Sequence, residues 1–126
     1  MKLVLLIIVS TIVLHACSKK GNAPSDRELP VIVINTPTPN QVFAAGNAIT
    51  VSGTVTDNLK LAEVHVHVYN NLTGTELIDI HHGAATANFD YSESFAAQAG
   101  IQYKIQIMAI DAAANTGYAT VYVSAN

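Results

Sequence analysis

From Pro30 onward, apolar and polar residues alternate with a period of two, the repeat of a strand that buries one face. Val31-Ile32-Val33-Ile34 is an apolar run closed by the turn-forming stretch Asn35-Thr36-Pro37-Thr38-Pro39-Asn40. Over residues 48–56, Ile49, Val51 and Val55 share one face while Thr50, Ser52 and Thr54 share the other. Residues 61–69 predict Val64, Val66 and Val68 inward, with Glu63, His65, His67 and Tyr69 outward. Shorter strands are predicted over 76–82 and 88–95. Tyr103, Ile105, Ile107 and Ala109 then alternate with Lys104, Gln106 and Met108, and residues 118–123 turn Ala119, Val121 and Val123 inward. Turn signals at Ala45-Gly46-Asn47, Asp57-Asn58, Asn70-Asn71, Thr73-Gly74, Ala99-Gly100 and Asn115-Thr116-Gly117 separate the segments. After residue 16 no window carries the i, i+3, i+4, i+7 apolar stripe of a helix. The pattern predicts an all-β fold, a seven-stranded antiparallel sandwich over residues 30–126.

The chain before Pro30 is organised differently. Met1-Lys2 is a basic start, residues 3–14 are an apolar stretch of 12, and Leu14-His15-Ala16-Cys17 follows. A membrane-spanning helix needs about 20 apolar residues, and Ser10 and Thr11 weaken this one further. A buried helix is disfavoured by the β-branched run Ile7, Ile8, Val9, Thr11, Ile12 and Val13. The stretch resembles a bacterial lipoprotein signal peptide, whose lipobox reads Leu-x-small-Cys. The resemblance implies that residues 1–16 are removed and that Cys17 carries lipid, tying the protein to a membrane outside the cytoplasm. An ordinary cleaved export signal is the alternative. Cys17 is the only cysteine, so the fold has no internal disulfide to rely on.

Residues 17–29 read as the lipidated cysteine and a flexible linker, since 18–29 hold almost nothing apolar. Twelve such residues span roughly 20 Å by random-coil scaling. Without its first 16 residues the chain keeps 110, enough for one domain and a tether. Five Lys/Arg against nine Asp/Glu leave a net charge of −4 in that portion. With no basic run beyond Lys19-Lys20, nucleic acid is excluded as a partner. Ser18 is not the acidic residue that retains enterobacterial lipoproteins at the inner membrane, and Lys19-Lys20 is not an acidic surface-export tag. The expectation is an outer-membrane lipid anchor with the domain on the periplasmic side, in reach of an envelope protein partner.

The strand sequences themselves carry a resemblance. The motifs are Pro30-Val-Ile-Val-Ile, Ile49-Thr-Val-Ser-Gly-Thr-Val-Thr-Asp57-Asn, Leu61-Ala-Glu-Val and Tyr103-x-Ile-x-Ile-x-Ala109-x-Asp111-x-x-x-Asn115. Together they resemble a bacterial immunoglobulin-like domain, and more narrowly the Ig-like lipoprotein domains common in Bacteroidetes, some with a His-rich central segment. The resemblance covers about residues 30–124 and implies an Ig-like sandwich, a fold that hosts many unrelated functions. Where that family usually has Ala-Gly-Asn in the last turn, this chain has Ala113-Ala114-Asn115, without the glycine.

Two constellations could carry chemistry. Of five histidines, His65, His67, His81 and His82 lie within 18 residues. His65 and His67 project from the same side of one strand, about 6.8 Å apart. If residues 61–69 and 76–82 are hairpin neighbours, burying the Val64-Val66-Val68 and Ile78-Ile80 faces together sets Tyr69 opposite Leu77. It also sets His67 opposite Asp79 and His65 opposite His81. His65, His67, Asp79 and His81 then form a three-His, one-carboxylate patch suited to Zn or Cu. Against this, an exposed strand position accepts any polar residue, and a crossover of the second strand to the other sheet would dissolve the patch. The second constellation is acidic: Asp57, Asn58, Asp111 and Asn115 lie in loops that share one end of an Ig-like sandwich, an oxygen-rich arrangement that suits weak Ca²⁺ binding. Asp and Asn also favour such turns for their own hydrogen bonds to backbone amides.

Enzyme signatures are absent: no Gly-x-Ser-x-Gly elbow, no His-Glu-x-x-His helix, no phosphate-binding glycine loop. Asp90 and Glu93 alternate faces, so they form no acid–base pair of the glycosidase kind. The chain has no Trp, and Tyr69, Tyr118 and Tyr122 are accounted for as strand formers. The expected function is a lipid-anchored, non-catalytic binding or structural module of the cell envelope. The alternative is an envelope protein that handles metal through its histidine cluster.

Overall fold

Two open sheets divide the strands between them in the computed structural model, which describes residues 25–126. The segment that resembles a signal peptide, Cys17 and the first part of the expected linker, as far as residue 24, lie outside the described residues. In chain order the strands are β1 (Val31–Thr36), β2 (Val42–Phe43), β3 (Ala48–Thr56), β4 (Leu61–Asn70), β5 (Glu76–Gly83), β6 (Asn88–Ala96), β7 (Gln102–Asp111) and β8 (Thr116–Ala125). One sheet runs β1-β3-β6 and the other β2-β8-β7-β4-β5. Among the described residues there is no helix.

The predicted alternation is the alternation observed. Ile49, Val51 and Val55 of β3 face Val64, Val66 and Val68 of β4 and Ile105, Ile107 and Ala109 of β7 across one continuous core, with Val121 and Val123 closing it. Full burial of each such aliphatic side chain contributes about 1.5–3 kcal/mol. Tyr91 adds an aromatic to this interior by lying over Gly53, its register partner, and donating its hydroxyl to the Val33 carbonyl at 3.0 Å. A Cβ on Gly53 would run into that carbonyl and into the Tyr91 ring, so only glycine leaves the ring its path. Burial pushes the Tyr91 phenol above its ordinary pKa.

Two details depart from the sequence expectation. The strand count is eight, because the chain crosses after β1 and lays Val42–Phe43 beside Ser124 and Ala125 as a parallel pair in the opposite sheet. A two-residue strand is too short for any alternation to show. The second departure is at the β4–β5 hairpin. Val68 pairs with Ile78, but Tyr69 pairs with Glu76 rather than Leu77. Leu77 is the extra residue of a bulge, which leaves it exposed and brings Glu76 level with Tyr69.

At one pole of the sandwich the last residues before β1 are tied to the loops. Asn115 Nδ2 donates to the Asp26 carbonyl at 3.1 Å, and Asn58 Nδ2 donates to Asp26 Oδ1 at 3.1 Å. At the other pole, Ala45 N donates to the Asn126 carbonyl and Asn126 N to the Phe43 carbonyl.

Candidate functional site

β4 and β5 are hydrogen-bonded neighbours at the edge of the five-stranded sheet, in the register that places His65 opposite His81 and His67 opposite Asp79. The constraint is the burial of Val64, Val66 and Val68 on the other face, because a slip by one residue would turn them to solvent. The four side chains therefore share the outer face. The rings of His65 and His81 lie 3.9 Å apart, and those of His65 and His67 5.7 Å apart.

The four residues are not equivalent. His65 points outward from its strand yet is only 6% exposed, with His67 and His81 against it and Met108 set opposite by β7. Its Nε2 is 2.9 Å from Glu63 Oε2, while its Nδ1 is buried and has no hydrogen-bond partner among the described residues. His81 is exposed, and its Nε2 lies 2.8 Å from Asp79 Oδ2. His67 Nδ1 is 3.2 Å from Asp79 Oδ1 and 2.8 Å from Glu76 Oε1. The hydrogen bond from His81 holds the Asp79 carboxyl below the usual carboxylate range, with the charge of the neighbouring histidines acting the same way. Burial raises the Tyr69 phenol, and the adjacent Glu76 adds to that rise.

One ligand atom each from His65, Asp79 and His81 falls within a 4.8 Å group, and a second such group is His67, Glu76 and Asp79. Glu76 and Glu63 were not among the residues that sequence reasoning selected. Glu76 enters through the bulge at Leu77, which no period-two reading contains, whereas Glu63 lies two residues from His65 on the same face and was open to that reading.

The acidic constellation also comes together. Asp57 and Asp111 approach, with Asp26 as a third carboxylate, their ligand atoms within 4.8 Å of one another. Much of this oxygen is occupied by turn chemistry. Asp57 Oδ2 accepts from the Leu59 and Lys60 amides at 3.0 and 2.8 Å, and Asp111 Oδ1 accepts from the Ala113 and Asn115 amides at 2.8 Å each. Asn115 enters as a donor, its Nδ2 2.6 Å from Asp111 Oδ2. Burial pushes the Asp111 carboxyl up, but the hydrogen bonds from Asn115, Ala113 and Ala114 outweigh it and leave the pKa below its ordinary value.

Two of the depressions on the surface of the described residues are open and small. One is lined by Asn40, Asn71, Gln102 and Tyr122, the other by Val68, Leu77, Ile78 and Phe95. Neither includes a histidine or a carboxylate.

The fold recurs in solved structures. A fibronectin(III)-like module of CbhA from Clostridium thermocellum superposes with a TM-score of 0.54 at 22% identity, covering 75% of this chain and 94% of that one. OgpA from Akkermansia muciniphila gives 0.54 at 12% identity, over 77% of this chain and 28% of that larger protein. Superoxide reductase (neelaredoxin) from Ignicoccus hospitalis gives 0.52 at 8% identity, over 79% of this chain and 81% of that one. At these identities the likeness is one of fold. No curated protein matches the chain. The family model described as a bacterial Ig domain matches residues 30–123, nearly the whole sandwich, and the chain belongs to that family.

Proposed function

We propose that the protein is a lipid-anchored, non-catalytic module of the cell envelope that binds or spaces a partner. The observation that carries this reading is the single Ig sandwich over residues 30–123, preceded in the sequence by Leu14-His15-Ala16-Cys17. Ig-like domains of this kind generally serve as binding or spacing units rather than as catalysts. Because Asp26 is fastened to the Asp57 and Asp111 loops, a tether from Cys17 would turn that pole towards the membrane and leave the sheet faces open to a partner in the periplasm.

Metabolic labelling with palmitate tests the anchor. The expected result is label on the wild-type chain and none on Cys17→Ala. An unlabelled, cleaved wild type overturns the anchoring. Cross-linking in intact cells followed by capture of the lipoprotein tests the module role, with one reproducible envelope protein as the expected product. Turnover of a substrate by the purified chain would overturn the non-catalytic reading.

A further inference from the structure

We infer that His65, Asp79 and His81 form a mononuclear site for a divalent transition ion of the Zn²⁺ or Cu²⁺ class, with His67, Glu76 and Glu63 as positioning residues. The inference is independent of how the chain is anchored.

Three observations converge on it. The first is the ligand set. Two imidazoles and a carboxylate form the three-ligand set of an open transition-metal site, in which the fourth position is left to water or an incoming group. Nitrogen donors select Zn²⁺ or Cu²⁺ over Ca²⁺ or Mg²⁺, which prefer oxygen.

The second is the state of His65. It is 6% exposed, and its Nδ1 has no partner. Leaving such a nitrogen unsatisfied is costly, because it gives up its hydration without gaining a partner. Glu63 Oε2 accepts the hydrogen bond of Nε2, which puts the proton on that nitrogen and the lone pair on Nδ1. Carboxylate, histidine and metal in series is the arrangement that fixes a ligand's tautomer and raises its basicity. A cation bound at Nδ1 accounts for a buried polar atom on this face that has no other partner among the described residues.

The third is the support behind Asp79. His67 Nδ1 lies 3.2 Å from Asp79 Oδ1, and Glu76 Oε1 lies 2.8 Å from the same nitrogen. The other carboxylate oxygen, Oδ2, is the one presented to His81 at 2.8 Å. In the metal-free protein a proton bridges that pair, and the ion takes its place. Bond lengths of about 2.0–2.2 Å to each ligand in a tetrahedral arrangement require Oδ2 and Nε2 to separate by about half an ångström. His81 and Asp79 have side chains 58% and 39% exposed, so both are free to make that shift while His65 stays fixed beneath them.

The full chain in detergent micelles is titrated with Zn²⁺ against a chromophoric chelator, and with Cu²⁺ under electron paramagnetic resonance. The expected result is one saturable equivalent, with hyperfine splitting from two nitrogens. Asp79→Asn and His81→Ala are exposed substitutions that leave the core untouched; each abolishes the Zn²⁺ site, and His81→Ala reduces the nitrogen count to one. His67→Leu lowers Zn²⁺ affinity by about 10–100-fold, as loss of a supporting contact does, and leaves the count at two. Three outcomes overturn the assignment: no saturable binding by the wild type, binding unchanged in both Asp79→Asn and His81→Ala, or a nitrogen count that falls in His67→Leu.

Discussion

His82 Nε2 lies 2.8 Å from Glu93 Oε1, and this contact joins the edge strands of opposite sheets. β5 ends the five-stranded sheet and β6 ends the three-stranded one, so the pair spans an open side of the sandwich. The His82 ring also lies 5.4 Å from Phe89. His82 faces inward, opposite to His81, and belongs to the scaffold rather than to the histidine face. A part-buried hydrogen bond of this kind contributes about 1 kcal/mol. His82→Ala and Glu93→Gln should each lower urea-unfolding stability by about that amount, and the double variant by less than the sum. Strict additivity would show that the two residues act separately.

Tyr91 and Gly53 make a second coupled pair. Gly53→Ala should cost more than about 2 kcal/mol, because the new methyl meets the Val33 carbonyl and the Tyr91 ring in a strand that cannot move aside. Tyr91→Phe loses only the hydrogen bond to Val33, about 1 kcal/mol. It should also change the alkaline limit. The folded pKa of Tyr91 is raised above its unfolded value of 10.0. Its contribution to stability is therefore complete below pH 10 and is lost as pH rises beyond it. Thermal melts should show Tyr91→Phe losing less stability than wild type across that range, and parallel curves would sink the idea.

Ala114 occupies φ = +68°, a left-handed conformation that costs a residue with a Cβ roughly 1–2 kcal/mol. Glycine would remove that cost while adding about 0.4–1 kcal/mol of freedom to the unfolded chain. Ala114→Gly should therefore stabilise the protein by up to about 1 kcal/mol, seen as a higher urea midpoint. A lower midpoint would contradict the argument.

Asp111 governs the acid limit of the same turn. Its folded pKa lies below the unfolded value of 3.8, so its stabilisation is present above that value and lost as pH falls through the folded one. Asp111→Asn should be less stable than wild type at neutral pH, and the gap should narrow in acid below about pH 4. A gap of constant size from neutral to strongly acidic pH would count against this account.

The residues that could be read from sequence are those whose placement follows from one strand and its own period. Val64, Val66 and Val68 fix the face of β4, and the need to bury Ile78 and Ile80 beside them fixes the opposition of His65 to His81. What escaped depends on packing between distant elements. His82 meets Glu93 only because two consecutive strands end up in different sheets, and Asp26 reaches the Asp57 and Asp111 loops through hydrogen bonds from Asn58 and Asn115 that span 32 and 89 residues. The burial of His65 escaped for a related reason. Alternation assigns a side chain to a face, but whether neighbouring rings then cover it depends on rotamers that no sequence pattern encodes.

The short parallel pairing of β2 with β8 has a mechanical consequence. The chain enters at the Asp26 pole and reaches Asn126 at the opposite one, so tension between its ends runs along the strands. Pulled in that way, β2 and β8 slide past each other, and the four bonds Asn40 N to Tyr122 O, Ser124 N to Gln41 O, Asn126 N to Phe43 O and Ala45 N to Asn126 O are strained together instead of unzipping in turn. Single-molecule stretching should find the first force peak lowered by Ala45→Pro, which removes one of these four donors, and an unchanged peak would refute the shear picture. On this geometry two residues of strand act as the latch of a load-bearing link, one that resists along its length far better than it resists peeling from its side.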